Sequence, residues 1–223
     1  MDPVYPMRIN RYLAFKKHST RRGADALIEK GRVFINGRKA VLGDKVMSEA
    51  DVIEVREKPR KYRYFAFNKP RGIETGSPIG GVFPMGRLDK DSQGLMILTD
   101  DGRVTDALLN PDYEHEKEYA VSIKGRLPNN FKRRMERGVN IEGYTTKPCT
   151  VNVTDEQHFT ITLTEGKKHQ IRRMCANLGQ DVATLKRIRI MNVRVGNLAE
   201  GSSRELVGAE RAAFLQSLGL GTG

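Results

Sequence analysis

Apolar positions along the chain repeat in two rhythms, and the change between them marks its organisation. Ile9, Tyr12 and Leu13 recur at helical spacing, and Leu27 and Ile28 continue the rhythm in a second segment. Ser19 is placed to cap that second helix and Gly31 to end it. Val33-Phe34-Ile35 then reads as a strand, Asn36-Gly37 as a type I′ turn, and residues 51–56 as another short strand. Two small helices and a hairpin bury little area, so this predicts a small module.

Beyond residue 63 the pattern shortens to strand-like runs at 64–67, 95–98, 119–123, 147–153, 158–164 and 185–195. In the last of these, Ile188 and Ile190 alternate with Arg187 and Arg189, which predicts a strand with one basic face. Helices are fewer. Val104, Ala107 and Leu108 share one, Pro128 opens a second that Gly138 stops, and a short one covers 208–218 with Phe214, Leu215 and Leu218 inward. Ile171, Met174, Cys175 and Leu178 fall at i, i+3, i+4 and i+7 and make the buried stripe of another, with Gly179 just past its end. Many strands with few helices predict an α+β domain with a mostly antiparallel mixed sheet. The charged run at 56–63, which contains Pro59, reads as a linker, giving a module at 1–56, a linker at 57–63 and a larger domain at 64–223.

Charge narrows the partners. A net charge of +12 over 223 residues points to a polyanion, nucleic acid before membrane. No apolar stretch approaches 18 residues, and Met1 to Pro6 lacks the basic and apolar regions of a secretion signal. A cytoplasmic protein is expected, with Cys149 and Cys175 as reduced core thiols. The four histidines are scattered, so no metal site is expected. Residues 7–22 carry Arg8, Arg11, Lys16, Lys17, Arg21 and Arg22 with no acid among them, a face suited to RNA phosphates.

Two stretches carry candidate chemistry. Residues 86–102 place Arg87, Asp89, Lys90 and Asp91 at the mouth of the buried run Leu95–Leu98, closed by Asp101-Gly102. Neighbouring cations would hold such a carboxylate ionised; on spacing alone a solvated charged loop is the simpler account. Residues 165–179 bring His169, Arg172 and Arg173 together near a helix start. Arginine there opposes the helix dipole, so a nearby carboxylate or phosphate would relieve the cost.

Arg8-Ile-Asn-Arg-Tyr-Leu-Ala14, followed by the segment Ser19 to Gly37, resembles an S4 RNA-binding domain over residues 7–55. Phe67-Asn-Lys-Pro70, Gly86-Arg-Leu-Asp-Lys-Asp-Ser-Gln-Gly-Leu95, Lys117-Glu-Tyr119 and Glu165-Gly-Lys-Lys-His-Gln-Ile-Arg-Arg-Met174 resemble the RsuA-type pseudouridine synthases. Gln93, the run Asp112 to Tyr119 and Arg189-Ile-Met-Asn-Val193 look closest to the RluF subgroup. The resemblance implies that Asp89 is the catalytic carboxylate, that Tyr119 stacks on the target base, and that Arg172 pairs with Asp89. It implies substrate contacts from Arg87, which helps turn the uridine out, from Leu185 beneath the base, and from Lys168, His169 and Arg173. Arg8, Arg11, Arg21, Arg22 and Lys30 would anchor RNA on the S4 module. It implies chemistry with no cofactor and no metal; a monomer is expected because no long exposed apolar stripe offers a symmetric interface. The expected substrate is structured RNA, 23S rRNA first and a tRNA anticodon as the alternative. The segment Arg71 to Met85 is shorter than the family usually has, and His169 stands where close relatives often carry arginine, a change expected to alter an RNA contact only. The charge and the S4 module alone would also fit a non-catalytic ribosome-assembly factor; Asp89, Tyr119 and Arg172 together argue against it.

Overall fold

The computed structural model describes residues 3–57 and 60–221. Pro59 of the predicted linker lies outside the described residues. The chain divides into two compact units that part between Tyr62 and Arg63, apart from Asp101–Arg103, which group with the first.

The first unit runs β1 (Met7–Arg8), α1 (Ile9–Phe15), α2 (Arg21–Glu29), β2 (Val33–Ile35), β3 (Arg38–Lys39), β4 (Lys45–Val46) and β5 (Ile53–Val55). Ile9, Leu13, Ala24, Leu27 and Ile28 close one core with Val33, Ile35 and Val46. The helix cap is Thr20, one residue beyond the predicted Ser19: its Oγ1 accepts from the Gly23 N–H at 3.0 Å. Gly31 ends α2 at φ +62, and Asn36-Gly37 turn the β2–β3 hairpin with both φ positive, as a type I′ turn requires. The three-stranded sheet runs β3-β2-β5, and β1 pairs with β4.

The second unit is built on nine strands: β6 (Tyr64–Lys69), β7 (Phe83–Met85), β8 (Gln93–Thr99), β9 (Lys117–Ile123), β12 (Thr150–Val153), β13 (His158–Leu163), β14 (Val182–Ile190), β15 (Val193–Arg194) and β16 (Ser203–Glu205). A small hairpin, β10 (Asn140–Ile141) and β11 (Tyr144–Thr145), stands apart from it. The helices are α3 (Arg103–Leu109), α4 (Phe131–Glu136), α5 (Gln170–Asn177) and α6 (Gly208–Ser217). Strand order is β12-β13-β9-β14-β8-β6-β16, with β15 on β14 and β7 on β8. Every pairing is antiparallel except β14 with β8, which matches the mixed, mostly antiparallel expectation.

Leu95, Met96, Ile97 and Leu98 of β8 are all fully buried, each worth about 2 kcal/mol against exposure. Met96 and Leu98 join Phe67, Val82 and Leu88 in one cluster. Ile171, Met174 and Cys175 of α5, with Leu178 at its C-terminal cap, pack with β9, β13 and α4, as their spacing predicts. Gly179 ends α5 in a Schellman arrangement: its N–H donates to Ala176 O and that of Gln180 to Cys175 O. Both cysteines are free, and burial pushes both thiols up to about 12. Among the described residues no helix is long and apolar enough to cross a membrane.

Two expectations change. α4 begins at Phe131, because Pro128 to Asn130 form only a turn, Phe131 N donating to Pro128 O. The run 185–195 is not one strand. It folds back at Met191-Asn192 into the β14–β15 hairpin, Met191 taking φ +52.

Candidate active site

The loop 86–92 joins β7 to β8 and is braced almost wholly through its main chain. Thr75 Oγ1 accepts from the Leu88 N–H at 3.0 Å and donates to Leu88 O at 2.8 Å. Gly72 N donates to Lys90 O, and Ser92 N to Asp89 O. Lys69 at the end of β6 is 0 % exposed; its ammonium donates to Ser92 O at 2.8 Å and to Pro70 O at 3.0 Å. Burial lowers its pKa, while Asp89 and Asp91 pull it back up. The short segment 71–85 is therefore a strap on this loop, and Lys69 a buried cation behind the two aspartates.

Asp89 faces a cleft of about 660 Å³ in the second unit. Arg87, Tyr119, Lys168, His169 and Leu185 line it as well. Tyr119 leaves β9 on the cleft side and packs against both apolar clusters. Leu185 comes from β14, directly opposite Val121 of β9.

The partner of Asp89 is not the expected one. His169 Nε2 lies 3.3 Å from Asp89 Oδ1. His169 stands at the N-terminus of α5 with φ +51, which turns it out of the helical path. Arg172, one turn on, donates to the main-chain carbonyls of Asp91 (3.1 Å) and Val182 (3.4 Å) instead of the Asp89 carboxylate. It braces the loop from behind and does not line the cleft. Arg173 turns away to Glu142 in the β10–β11 turn, 2.6 Å. The dipole penalty of arginine at a helix start is thus met by Glu142 and by carbonyls. His169 touches the carboxylate itself, so its expected role as an RNA contact alone needs correcting.

Glu165, almost fully buried, fixes the loop that carries Lys168 and His169. It accepts from Tyr144 Oη at 2.6 Å, Lys147 N at 3.0 Å and Gln170 Nε2 at 2.7 Å. The ammonium of Lys167 lies over the Tyr144 ring, 4.5 Å from its centroid.

Sequence reasoning also misplaced a cation. The alternation through 185–190 predicts Arg187 and Arg189 on one basic face. A register shift between them breaks it. Arg189 turns to Glu116 and Glu118. Arg187 is only 4 % exposed and lines the cleft, its Nε donating to Leu95 O at 2.7 Å. Lys117, two residues before Tyr119 and on the same face of β9, lines it as well. Gly94 allows this close approach of β8 and β14. It sits at φ +108, and a Cβ there would fall 2.3 Å from Arg187 O.

Arg8, Arg11, Arg21, Arg22 and Lys30 are all exposed on the first unit, and among the described residues none forms an ion pair. No group of three or more His, Cys, Asp or Glu that could hold a metal occurs among the described residues.

Comparison with known proteins gives concordant matches. Residues 75–177 match the family described as RNA pseudouridylate synthase, and residues 7–52 match the S4 domain. The chain is 39% identical to the dual-specificity RNA pseudouridine synthase RluF of Escherichia coli (strain K12), covering 94% of this chain and 79% of that one. It is 34% identical to the ribosomal large subunit pseudouridine synthase B of Bacillus subtilis (strain 168), over 89% of this chain and 91% of the relative. A solved structure described as a pseudouridylate synthase superposes with a TM-score of 0.68 at 29% identity, over 95% of this chain and 99% of its own.

Proposed function

We propose, for a chain that belongs to the RNA pseudouridine synthases and carries their S4 domain, that its substrate is a structured segment of 23S ribosomal RNA and that Asp89 carries the chemistry. The family membership sets aside the non-catalytic assembly-factor reading. The observation that supports the site is the single cleft shared by Asp89 and Tyr119, which Arg87, Lys117, Lys168 and Arg187 also line.

The reaction breaks the uracil N1–C1′ bond, turns the base and rejoins it through C5. No redox step is involved, and a carboxylate suits the task as the reacting group. Asp89 is that group, with the His169 imidazole 3.3 Å from its carboxylate and Lys69 buried behind the loop. Tyr119 stacks on the base and Leu185 closes its other edge. Arg87, exposed at the mouth of the cleft, fills the gap left by the extruded uridine. Lys168 meets the flanking phosphates. Arg172 acts through the loop, by holding Asp91 O, and Arg173 by fixing the β10–β11 hairpin.

Residues 1–56 serve as the RNA anchor, 57–63 as linker and 64–223 as the catalytic domain of a cytoplasmic monomer. The named role of the Bacillus subtilis relative on the large ribosomal subunit supports ribosomal over transfer RNA. Carbodiimide primer-extension mapping of RNA from a deletion strain tests the whole reading. One ribosomal stop should vanish and return with wild-type protein but not with Asp89→Asn. A stop lost only from a tRNA anticodon would transfer the same chemistry to the alternative substrate.

A further inference from the structure

Two cations on the floor of the cleft have no acidic partner. Arg187 is buried, its Nε is satisfied by Leu95 O, and its Nη2 has no hydrogen-bond partner while closed off from water. Lys117, half-buried, donates to His115 O at 3.1 Å. Among the described residues neither forms an ion pair. The carboxylates that line the same cleft are engaged elsewhere: Asp89 faces His169, and Glu165 accepts three hydrogen bonds. Burial and the charge of Arg187 both lower the pKa of Lys117, and no carboxylate raises it.

Leaving a cationic donor buried and unpaired is costly. Such an arrangement is retained where an anion arrives. The strand register says where that anion would sit. Arg187 is directly opposite Tyr119, and Lys117 lies two residues from Tyr119 on the same face. A flat ring resting on Tyr119 therefore has both cations beside its edge.

We propose that Arg187 and Lys117 form a subsite for the detached uracil anion. This rests on the reading of Asp89 and Tyr119 as the reacting centre. When the N1–C1′ bond breaks with both electrons on the base, the uracil leaves as a monoanion with its charge on N1, O2 and O4, and C1′ is left electron-deficient, its positive charge opposite the Asp89 carboxylate. Forming the C5–C1′ bond consumes that charge; the C5 proton then leaves and N1 takes one up, so atoms and charge balance. Fixed cations that meet charge present only between these two bonds lower the barrier and leave ground-state binding alone. They also keep the free base from drifting out while it turns.

The test is single-turnover tritium release from a 23S rRNA fragment carrying [5-³H]uridine, with Lys117→Met, Lys117→Arg and Arg187→Lys, each checked by thermal melting. The Lys117 pair carries the test even if Arg187→Lys fails to fold. Lys117→Met should slow the reaction about 100-fold with RNA affinity unchanged, and Lys117→Arg should restore most of the rate. The same variants are then given RNA with 5-fluorouridine at the target, followed as loss of that nucleoside from nuclease digests. Fluorine stabilises the departing anion, so the Lys117→Met penalty should shrink several-fold. An equal penalty on both substrates, or weaker RNA binding at an unchanged rate, overturns the subsite and leaves the isomerase reading standing. A wild-type protein that releases no tritium from the 23S fragment or from a tRNA anticodon fragment carrying the same label overturns both.

Discussion

The two units use the same residue types for opposite ends. In the first, Arg8, Arg11, Arg21, Arg22 and Lys30 stand exposed with no ion-pair partner among the described residues. In the second, Lys69 and Arg187 are buried and bound to main-chain carbonyls, with Lys117 half-buried near Arg187. An exposed cation keeps its water and acts through a field that salt screens. A buried one has lost its water, so it is held in one geometry and is worth most where charge forms in a closed space. On the proposed reading the first kind captures RNA and the second acts on the bond being broken. Each variant below tests whether capture and chemistry separate in this way.

The sharpest separation should come from Asp89→Asn. The amide is isosteric but cannot take the place of an ionised carboxylate. Tritium release should fall at least about 1,000-fold, with RNA affinity and melting temperature near wild type. Loss of affinity in parallel with rate would mean that Asp89 organises the RNA-binding surface, and the division between capture and chemistry would fail.

Gly94→Ala attacks the geometry beneath the buried cations. A methyl group would fall 2.3 Å from Arg187 O and 2.7 Å from Arg187 N, at a φ of +108 that alanine resists. The parallel β8–β14 pairing, which rests on Lys186 opposite Gln93 and Arg187 opposite Gly94, must open. We expect about 2–4 kcal/mol lost in chemical denaturation, with RNA capture by the first unit unimpaired below the melting transition.

Much of this architecture is legible in the chain. The α5 stripe, the β8 run and the Asn36-Gly37 turn need only local periodicity and turn chemistry, and all three stand where they are expected. What was illegible depends on partners far away in sequence. Met191-Asn192 lacks the glycine that signals a hairpin, so β15 merged with β14. Arg187 faces inward because of a register shift against β9, which alternation within one strand cannot reveal. His169 meets Asp89 because its αL backbone swings it off the helix, while Arg172 is drawn to a carbonyl. Motifs singled out Asp89 and Tyr119, which share the cleft; contacts between residues distant in sequence decide which cation touches which anion.

Lys69→Met should have a middling effect. Two carbonyls, Ser92 O and Pro70 O, lose their donor and the Asp89 loop loosens, so kcat should fall about 10-fold with KM little changed. A pH series supplies a second readout. Because burial holds the folded pKa of Lys69 below 10.5, the folded state binds fewer protons than the unfolded one between those two values. Stability should therefore rise with pH as 10.5 is approached. Lys69→Met should remove that slope, and a variant that keeps it would place the charge elsewhere.

The smallest effect at any one salt concentration belongs to the exposed set, and it has a signature the buried set cannot imitate. Arg21→Glu with Arg22→Glu reverses two charges on the first turn of α2, where neither side chain carries the fold: the buried residues of that helix are Ala24, Leu27 and Ile28. Melting should be unchanged. If each arginine meets one phosphate, the slope of log affinity against log salt should fall by about 1.4 to 1.8, from 0.7 to 0.9 per contact, and affinity at low salt should drop about 10-fold. The single-turnover rate at saturating RNA should stay at the wild-type value, since these cations never see the uracil. The Lys117→Met protein should behave in the reverse manner, slow at saturation with its salt slope intact. Were the two variants to share one phenotype, exposure would not be what divides the roles of these cations, and a common RNA surface would have to span both sets.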